Sequence, residues 1–294
     1  MRVFITGATG FIGSRIVREL IDAGHQVLGL TRSDAGVETL VAAGAQVHRG
    51  NFEDLESLRN GAAKSDAVIH CAFDHDFSNF VANCEKDRLA IEALGDALAG
   101  SEHPLLITSG TAFGNSSPGQ LATENYYDPT HPNPRKSEAA GASVAERGVN
   151  VSVVRLPQVH DTVKQGLITY AVQLAREKGV SAYIGDGLNR WPAAHVLDVA
   201  HLYRLVLEKH EAGSRYHAVA EEGVPMREIA EVIGEGLKVP VVSLSPEKAP
   251  SHFGWLAMFA GLDMPASSAQ TRETLGWNPK GSELLTDLRN MRYF

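Results

Sequence analysis

A glycine-rich turn near the start of the chain constrains the fold more than any other feature of the sequence. The segment Thr6-Gly7-Ala8-Thr9-Gly10-Phe11-Ile12-Gly13 follows a short aliphatic run and leads into a stretch with helical apolar spacing. Glycines at this spacing allow a tight turn, close approach of the backbone to a pyrophosphate, and close packing of helix on strand. The phosphates then lie on the unpaired amides at the start of the helix. The turn predicts a dinucleotide site with contacts from Gly7, Thr9, Gly10, Phe11, Ile12 and Gly13.

Short aliphatic runs alternate with helical stretches through the first half of the chain. Ala67–Cys71 and Leu105–Thr108, for example, flank a long alanine-rich helical stretch. This alternation is typical of βαβ units and predicts an α/β fold with a doubly wound parallel Rossmann sheet. The regular alternation of predicted strands and helices ends at about Pro157. We therefore expect a Rossmann NADP(H)-binding core over residues 1–160, and over 161–294 mostly a small C-terminal substrate-binding lobe, with elements that return to the core.

The composition of the chain limits which kinds of partner it can bind and where in the cell it is expected. The 294 residues carry a formal net charge of −8, which argues against a non-specific nucleic-acid binder, since such a protein needs excess cations. No apolar run reaches the roughly 18 residues of a membrane helix. The chain has two cysteines, Cys71 and Cys84, and no secretory signal is evident, so we expect reduced thiols and a cytoplasmic location. A small-molecule substrate is expected. The sequence does not give the oligomeric state, although helices that flank such sheets often form the faces of a homodimer.

The end of the second predicted strand bears on the choice of cofactor. An NAD site usually has an acidic residue there for the ribose hydroxyls, whereas this strand runs into Thr31-Arg32-Ser33. Arginine offers a planar fork for phosphate oxygens, so the sequence favours NADP(H) over NAD(H). The alternative is that Arg32 is an ordinary surface residue and that Asp34, slightly further along the chain, is the acidic residue of an NAD site. Asn51 and Phe52 follow the third strand and are predicted to contact the adenine.

Several segments together resemble the extended short-chain dehydrogenases/reductases, the NAD(P)-dependent epimerase/dehydratase group. The resemblance covers essentially the whole chain and implies the fold and a nicotinamide cofactor without specifying one reaction. It rests on the glycine-rich turn and on four further segments: Val68-Ile69-His70-Cys71-Ala72, Thr108-Ser109-Gly110-Thr111-Ala112-Phe113-Gly114, Arg155-Leu156-Pro157, and Asp186-Gly187 with Trp191 and His195-Val196-Leu197-Asp198.

In that family a Ser or Thr acts with a Tyr-x-x-x-Lys pair, and Ser109 matches the serine. No tyrosine of this chain has a lysine at that spacing; His131-Pro132-Asn133-Pro134-Arg135 stands there instead. This resembles an atypical subgroup with His-x-x-x-Arg, which has no established reaction. The resemblance implies that Ser109 polarises the substrate oxygen and that Arg135 holds the nicotinamide ribose. His131 titrates near neutrality and suits proton transfer.

The alternative for this segment is structural: His131 is a loop histidine and Arg135 a surface residue in the first turn of a helix. Pro134 fits that first turn, capped by Asn133. Such a helix would put His131 ahead of it, so that His131 and Arg135 need not share a face.

Further site residues are predicted from strand ends and from the resemblance. Contacts to the cofactor are expected from Ala72, Phe73, Pro157, Gln158 and Val159, and contacts to the substrate from Thr111, Arg190, Trp191 and His195. Two alternatives stay open, because Trp191 also suits a core position and His195 also suits a pairing with Asp198. Asp74-His75-Asp76 is interpreted as a loop, and no metal site is predicted.

These features predict an NADP(H)-dependent oxidoreductase that acts on a small carbonyl or alcohol. The missing Tyr-x-x-x-Lys pair keeps a catalytically silent NADP(H)-binding sensor or regulator as an alternative. A nucleotide-sugar epimerase or dehydratase is the third hypothesis, although the sequence has no obvious basic cluster for a second pyrophosphate.

Overall fold

Twelve strands and twelve helices are described in the computed structural model, which covers residues 1–117, 119–130 and 132–293. The strands are β1 (Arg2–Thr6), β2 (Gln26–Thr31), β3 (Gln46–Arg49), β4 (Ala67–His70), β5 (Leu105–Gly110), β6 (Val151–Leu156), β7 (Gln158–His160), β8 (Ser181–Ile184), β9 (Arg190–His195), β10 (Arg215–His217), β11 (Glu221–Pro225) and β12 (Val241–Leu244). The helices are α1 (Phe11–Asp22), α2 (Asp34–Ala42), α3 (Leu55–Ala62), α4 (Phe80–Leu98), α5 (Ser137–Glu146), α6 (Ile168–Lys178), α7 (Val196–Lys209), α8 (Met226–Leu237), α9 (Ala249–Phe253), α10 (Ala257–Ala260), α11 (Ala269–Leu275) and α12 (Leu284–Asn290).

A seven-stranded parallel sheet forms the centre of the fold, in the order β10-β6-β5-β4-β1-β2-β3. The chain winds outward in one direction from β1 and in the other from β4, so the order reverses between these two strands. This is the doubly wound arrangement predicted from the sequence. Its ligand crevice is expected at the carboxyl ends of β1 and β4.

The two faces of this sheet bury separate cores, because successive strand side chains point to opposite faces. Val3 and Ile5 of β1 pack with α1 and α7, whereas Phe4 packs with α3, α4 and α5. Helix α1 is amphipathic: Ile16, Val17 and Leu20 are buried against the sheet, whereas Arg18 and Asp22 are exposed.

The rest of the chain builds two small sheets and a second core. The small sheets have the orders β11-β9-β7 and β12-β8. The second core includes Trp191, Ile229 and Leu288. β10 comes from this half of the sequence but pairs with β6 in the central sheet. Within the described ranges, every helix is too short or too polar to cross a membrane.

Two sequence predictions on local structure are wrong. The helix expected to begin at Pro134 begins at Ser137; Asn133 instead accepts a hydrogen bond from the amide of Arg135 at 2.9 Å, a turn that precedes the helix. The sequence of 185–195 predicts a turn-rich interruption of the strand and helix pattern, but the segment contains β9, which pairs with β7 and β11 from distant parts of the chain.

Candidate active site

A cleft of about 720 Å³ opens at the carboxyl ends of the central strands. It runs over the glycine-rich turn and reaches β5 and the second lobe. The cleft brings together most of the residues predicted from the sequence: Gly7, Thr9, Gly10, Phe11, Ile12, Gly13, Thr31, Arg32, Asn51, Phe52, Ala72, Phe73, Ser109, Thr111, Arg135, Pro157, Gln158 and Val159. Ser33, Arg190, Trp191 and His195 do not line it, and His131 lies outside the described residues.

The glycine-rich turn leaves no room for side chains. Gly7 has a φ of +69°, a left-handed conformation that favours glycine, and a Cβ there would lie 2.9 Å from the amide nitrogen of Ala72. A Cβ on Gly13 would lie 2.1 Å from the carbonyl oxygen of Gly7. No side chain caps the start of α1, and its first turn carries no acidic residue. These residues fit the pyrophosphate of a dinucleotide, because open amides and the positive end of the helix face the cleft.

The cleft beyond β2 has a cationic side chain. Arg32 is exposed and lines the cleft. Asp34, the acid that follows it, pairs with Arg49, which also donates to the carbonyl of Arg32 at 3.3 Å. The hydrogen bond and the charge from Arg49 lower the pKa of the exposed Asp34 carboxyl. Ser33 is occupied by a structural role: its hydroxyl accepts from the amide of Gly36 at 3.1 Å and caps α2.

A buried polar chain links the glycine-rich turn to Arg135. The Thr6 hydroxyl lies 2.8 Å from Nδ1 of His70, whose Nε2 lies 3.2 Å from Oδ1 of Asp87. The other carboxylate oxygen of Asp87 accepts from the Ser137 hydroxyl at 2.5 Å, and Ser137 accepts from Nε of Arg135 at 2.9 Å. The four uncharged or acidic members of the chain are all buried.

Electrostatics keep the carboxylate of this chain ionised. Burial alone would raise the pKa of Asp87, but the hydrogen bond from His70 and the charge of Arg135 hold it below its usual value. The Asp87 charge in turn favours a fixed position for the Arg135 guanidinium.

Arg135 is held at the cleft from three sides. Besides its bond to Ser137, its Nη2 donates to the carbonyl of Thr108 at 3.1 Å, and its guanidinium carbon lies 4.4 Å from the centre of the Phe73 ring. A guanidinium fixed in this way is pre-organised for hydrogen bonding. The His-x-x-x-Arg arginine therefore faces the cleft even though it precedes α5.

Ser109 lies on the same wall, near the end of β5. Its side chain is buried, and its Oγ makes no well-formed hydrogen bond to any described residue. It lies near Glu138: burial raises the pKa of that carboxyl, but Arg155 lowers it below the usual value, with a smaller lowering from Ser109. A serine hydroxyl without a well-formed internal hydrogen bond at the cleft is suited to a bond with a ligand oxygen.

Cys71 also lines the cleft but is unsuited to nucleophilic chemistry. Burial raises the pKa of its thiol to about 11, with only small opposing effects from hydrogen bonds with Thr108 and Tyr203. Among the described residues, no group of three or more His, Cys, Asp or Glu side chains could hold a metal ion.

The family follows from comparison with known proteins. Residues 3–220 match the NAD dependent epimerase/dehydratase family. The chain belongs to this family. Its members include nicotinamide-dependent oxidoreductases, and the fold and cleft described above are those of such an enzyme. The family resemblance predicted from the sequence is confirmed; the His-x-x-x-Arg subgroup stays a prediction.

Close relatives span the full length of this family member. An uncharacterized protein of Schizosaccharomyces pombe is 49% identical over 296 residues, covering 100% of both chains. An uncharacterized protein of Saccharomyces cerevisiae is 44% identical, covering 98% of each. Among solved structures, the dTDP-glucose 4,6-dehydratase of Streptomyces venezuelae, with NAD and TYD bound, aligns with a TM-score of 0.78 at 21% identity, over 100% of this chain and 96% of that one. This last likeness shows the fold.

Three residues predicted to bind substrate lie away from the cleft of this family member. Trp191 is fully buried in the second core, and its indole nitrogen donates to the carbonyl of Leu262 at 3.2 Å. Arg190 pairs with Asp263 at 2.8 Å. His195 caps α7 by accepting from the amide of Leu197 at 3.3 Å. The structure thus favours the core alternative for Trp191, while Asp198 bonds to the amides of Lys280 and Gly281 and not to His195.

Several residues that line the cleft were not predicted from the sequence, and they come from both halves of the chain. They include Phe77, Phe80, Lys164, Leu167, Tyr170, Pro192, Phe259 and Met264. Pro192 had a usable signal: in a strand over 190–195, alternation puts it on the face opposite the buried Trp191. The others come from separate helices and turns, for which no contiguous motif exists.

Proposed function

We propose that the chain is an NADP(H)-dependent oxidoreductase that interconverts a small carbonyl compound and its alcohol. The observation that carries this is the position of Ser109 and Arg135 on one wall of the cleft that the glycine-rich turn opens. A hydrogen-bond donor for a substrate oxygen and a fixed cation for ribose hydroxyls are thereby joined to a dinucleotide site. This pairing suits hydride chemistry.

Arg32 supports the preference for the phosphorylated cofactor. Its guanidinium lines the cleft at the end of β2, where the adenosine ribose of a dinucleotide is expected. Asp34, which would repel a 2′-phosphate, is paired with Arg49. A 2′-phosphate at this turn would therefore meet cations whose neighbouring carboxylate is already neutralised.

The roles of the protein groups follow from their chemistry. When bound, the nicotinamide donates a hydride to a carbonyl carbon or accepts one from an alcohol carbon. Ser109 donates a hydrogen bond to the substrate oxygen, which stabilises the negative charge that develops there. His131 is proposed to give a proton to that oxygen during reduction and to regain it from solvent. Arg135 binds ribose hydroxyls, and Asp87 with Ser137 keeps its guanidinium in position.

Titration with the two cofactors tests the proposal first. NADPH should bind at least about tenfold more tightly than NADH, a difference of roughly 1.4 kcal/mol, and Arg32→Ala should remove most of that difference. Equal binding of the two cofactors would contradict the role of Arg32.

A screen of aldehydes and ketones that follows NADPH absorbance tests the enzymatic claim. His131→Ala should abolish most of any turnover; unchanged turnover would refute the proton-transfer role. Tight NADPH binding without turnover of any carbonyl would instead favour the sensor. Turnover of UDP-glucose without net NADPH consumption would favour the nucleotide-sugar epimerase.

A further inference from the structure

Aromatic side chains from both lobes meet beside the cleft. Phe77 stacks on Trp255, with ring centres 4.3 Å apart and planes at 8°. Tyr170 of α6 presents an edge to both, at 6.1 Å from Phe77 and 5.0 Å from Trp255. Phe259 of α10 lies edge-on to Phe77 at 5.9 Å, and Phe80 lies 5.7 Å from it. We call Phe77, Phe80, Tyr170 and Phe259 the aromatic wall, since these four line the cleft while Trp255 supports them.

The aromatic wall borders the second core, against which Tyr170, Trp255 and Phe259 pack, but it keeps part of its surface open. Its four residues and Trp255 are all partly exposed. The aromatic residues of the true cores, such as Phe4 and Trp191, are fully buried. Leu167 and Met264 extend the apolar lining of the cleft. Several adjoining aromatic faces open to a cleft are the lining expected of a small-molecule pocket.

Charged groups of the cleft lie mostly beside the cofactor residues. Lys164 is 5.9 Å from the centre of the Phe11 ring, at the glycine-rich turn, and Arg135 stands over Phe73. Asp74 and Glu53 both pair with Lys86, at 3.7 and 3.3 Å. Of the described residues that line the cleft, Lys164 is the cation from the second lobe, and it faces Phe11. A second diphosphate would thus find little countercharge at the aromatic wall.

We infer that the aromatic wall binds an uncharged aryl group, so that the substrate is an aromatic ketone, aldehyde or alcohol. This inference rests on the proposed oxidoreductase function and names its substrate class. An aryl ring in the cleft that lies against the open sides of Phe77 and Tyr170 would make face and edge contacts of the kind these rings already make with one another. Its carbonyl would then extend toward Ser109 in the same cleft.

The test compares two ketones that share a reacting group, 4-phenyl-2-butanone and 2-butanone. Binding of each to the full chain is followed by tryptophan fluorescence, with and without NADPH. The chain has three tryptophans, and of these Trp255 touches the aromatic wall while Trp191 and Trp277 are buried. The aryl ketone should bind about 10- to 100-fold more tightly, as expected for burial of one phenyl group, and should change the fluorescence.

Variants assign the effect to the aromatic wall. Trp255→Phe should remove the fluorescence change, and Phe77→Leu should weaken aryl-ketone binding about tenfold while 2-butanone is unaffected. The matched control is Met258→Ala, since Met258 lies beside Phe259 on α10 but is 51% exposed and outside the cleft. This variant should bind both ketones like the natural chain.

The outcomes separate this inference from the proposed function. Equal affinity for the two ketones, or an aryl preference that survives Phe77→Leu unchanged, would overturn the aryl-binding role. Loss of NADPH binding with the aryl preference retained would overturn the NADP(H) proposal and leave the aryl site standing. Where turnover is found, the same ratio between the ketones should appear in kcat/KM.

Discussion

The two ends of the cleft differ in the groups that form them: backbone at the cofactor end and side chains at the reacting end. The cofactor end is made of backbone: a Cβ on Gly7 would collide with Ala72 and one on Gly13 with Gly7, while one on Gly10 would be a tight 3.1 Å from the Gly7 carbonyl oxygen. The reacting end is made of side chains from distant segments. Ser109 comes from β5, Arg135 from the turn before α5, and the Asp87 that orders Arg135 from α4.

This difference decides how each end responds to change. A backbone cradle has no flexible part that can yield, so a single added carbon displaces the main chain itself. A network of side chains can lose one charge and keep its hydrogen-bond geometry. Substitutions at the first end should therefore abolish binding, and substitutions at the second should tune rate and stability.

The largest effect is expected from Gly13→Ala. Its Cβ would lie 2.1 Å from the Gly7 carbonyl oxygen, so α1 must move away from the turn. The affinity for NADPH should fall by about 100-fold, or roughly 2.7 kcal/mol. Isothermal titration measures this, and the thermal midpoint shows whether the variant is folded. The control is Gly261→Ala, where the nearest atom is Cδ1 of Ile184 at 3.5 Å and φ is −96°. NADPH affinity equal to that of the natural chain in Gly13→Ala would refute the cradle.

An intermediate effect is expected from Asp87→Asn, which removes the charge but keeps a side chain of the same shape. Arg135 loses the nearby negative charge to which it is linked through Ser137, while hydrogen bonds of residue 87 to His70 and Ser137 can still form. We expect kcat to fall about tenfold, and the free energy of unfolding to fall by about 2 kcal/mol. Steady-state kinetics and urea unfolding measure the two quantities.

The second lobe offers a matched control for Asp87. His160 and Asp287 form another buried pair, with Nδ1 and Oδ2 2.8 Å apart, and neither lines the cleft. Asp287→Asn should therefore cost similar stability but leave kcat unchanged. If both variants lowered kcat alike, the effect would be one of general stability and not of Arg135 placement.

The sign of the pH effect follows from the lowered pKa of Asp87. The unfolded chain protonates this carboxyl at a higher pH than the folded one, near its ordinary value of about 4. The stabilisation is therefore present above that value and is lost as pH falls through the lowered folded pKa. Acid unfolding curves of Asp87→Asn should be flatter below about pH 4 than those of the natural chain.

The same contrast between backbone and side chains explains what could be predicted from sequence. The dinucleotide site is encoded in the eight contiguous residues Thr6 to Gly13, and the physical demand for glycine is local, so the fold and this end of the cleft were predictable. The position of Arg32 at the cofactor end could be predicted for the same reason, because Arg32 directly follows a strand.

The reacting end depends on long-range packing. Trp191 was predicted to bind substrate, but pairing of β9 with β7 and β11 turns it into the core. The aromatic wall joins residues 77 and 259, whose proximity follows only from the docking of the lobes. Arg135 lines the cleft and its role there stays a prediction. The helix expected from Pro134 begins three residues later, at Ser137, because Asn133 closes a turn with the Arg135 amide instead of capping a helix.

The smallest effect is expected from Asp34→Asn, at the cofactor end but outside its backbone cradle. Arg49 and Asp34 are 53% and 89% exposed, so water screens their pairing, and stability should change by less than about 0.5 kcal/mol. Without the carboxylate, Arg49 offers its full charge to a 2′-phosphate. The affinity for NADPH should therefore rise about two- to threefold, an effect that shrinks at high salt, while that for NADH stays the same. Asp22→Asn removes another exposed carboxylate, which is 55% exposed and paired with Arg18 on α1, and it should change neither affinity. A parallel rise for NADH would mean that Asp34 repels the dinucleotide as a whole, and the preference for the phosphorylated cofactor would then depend on Arg32 alone.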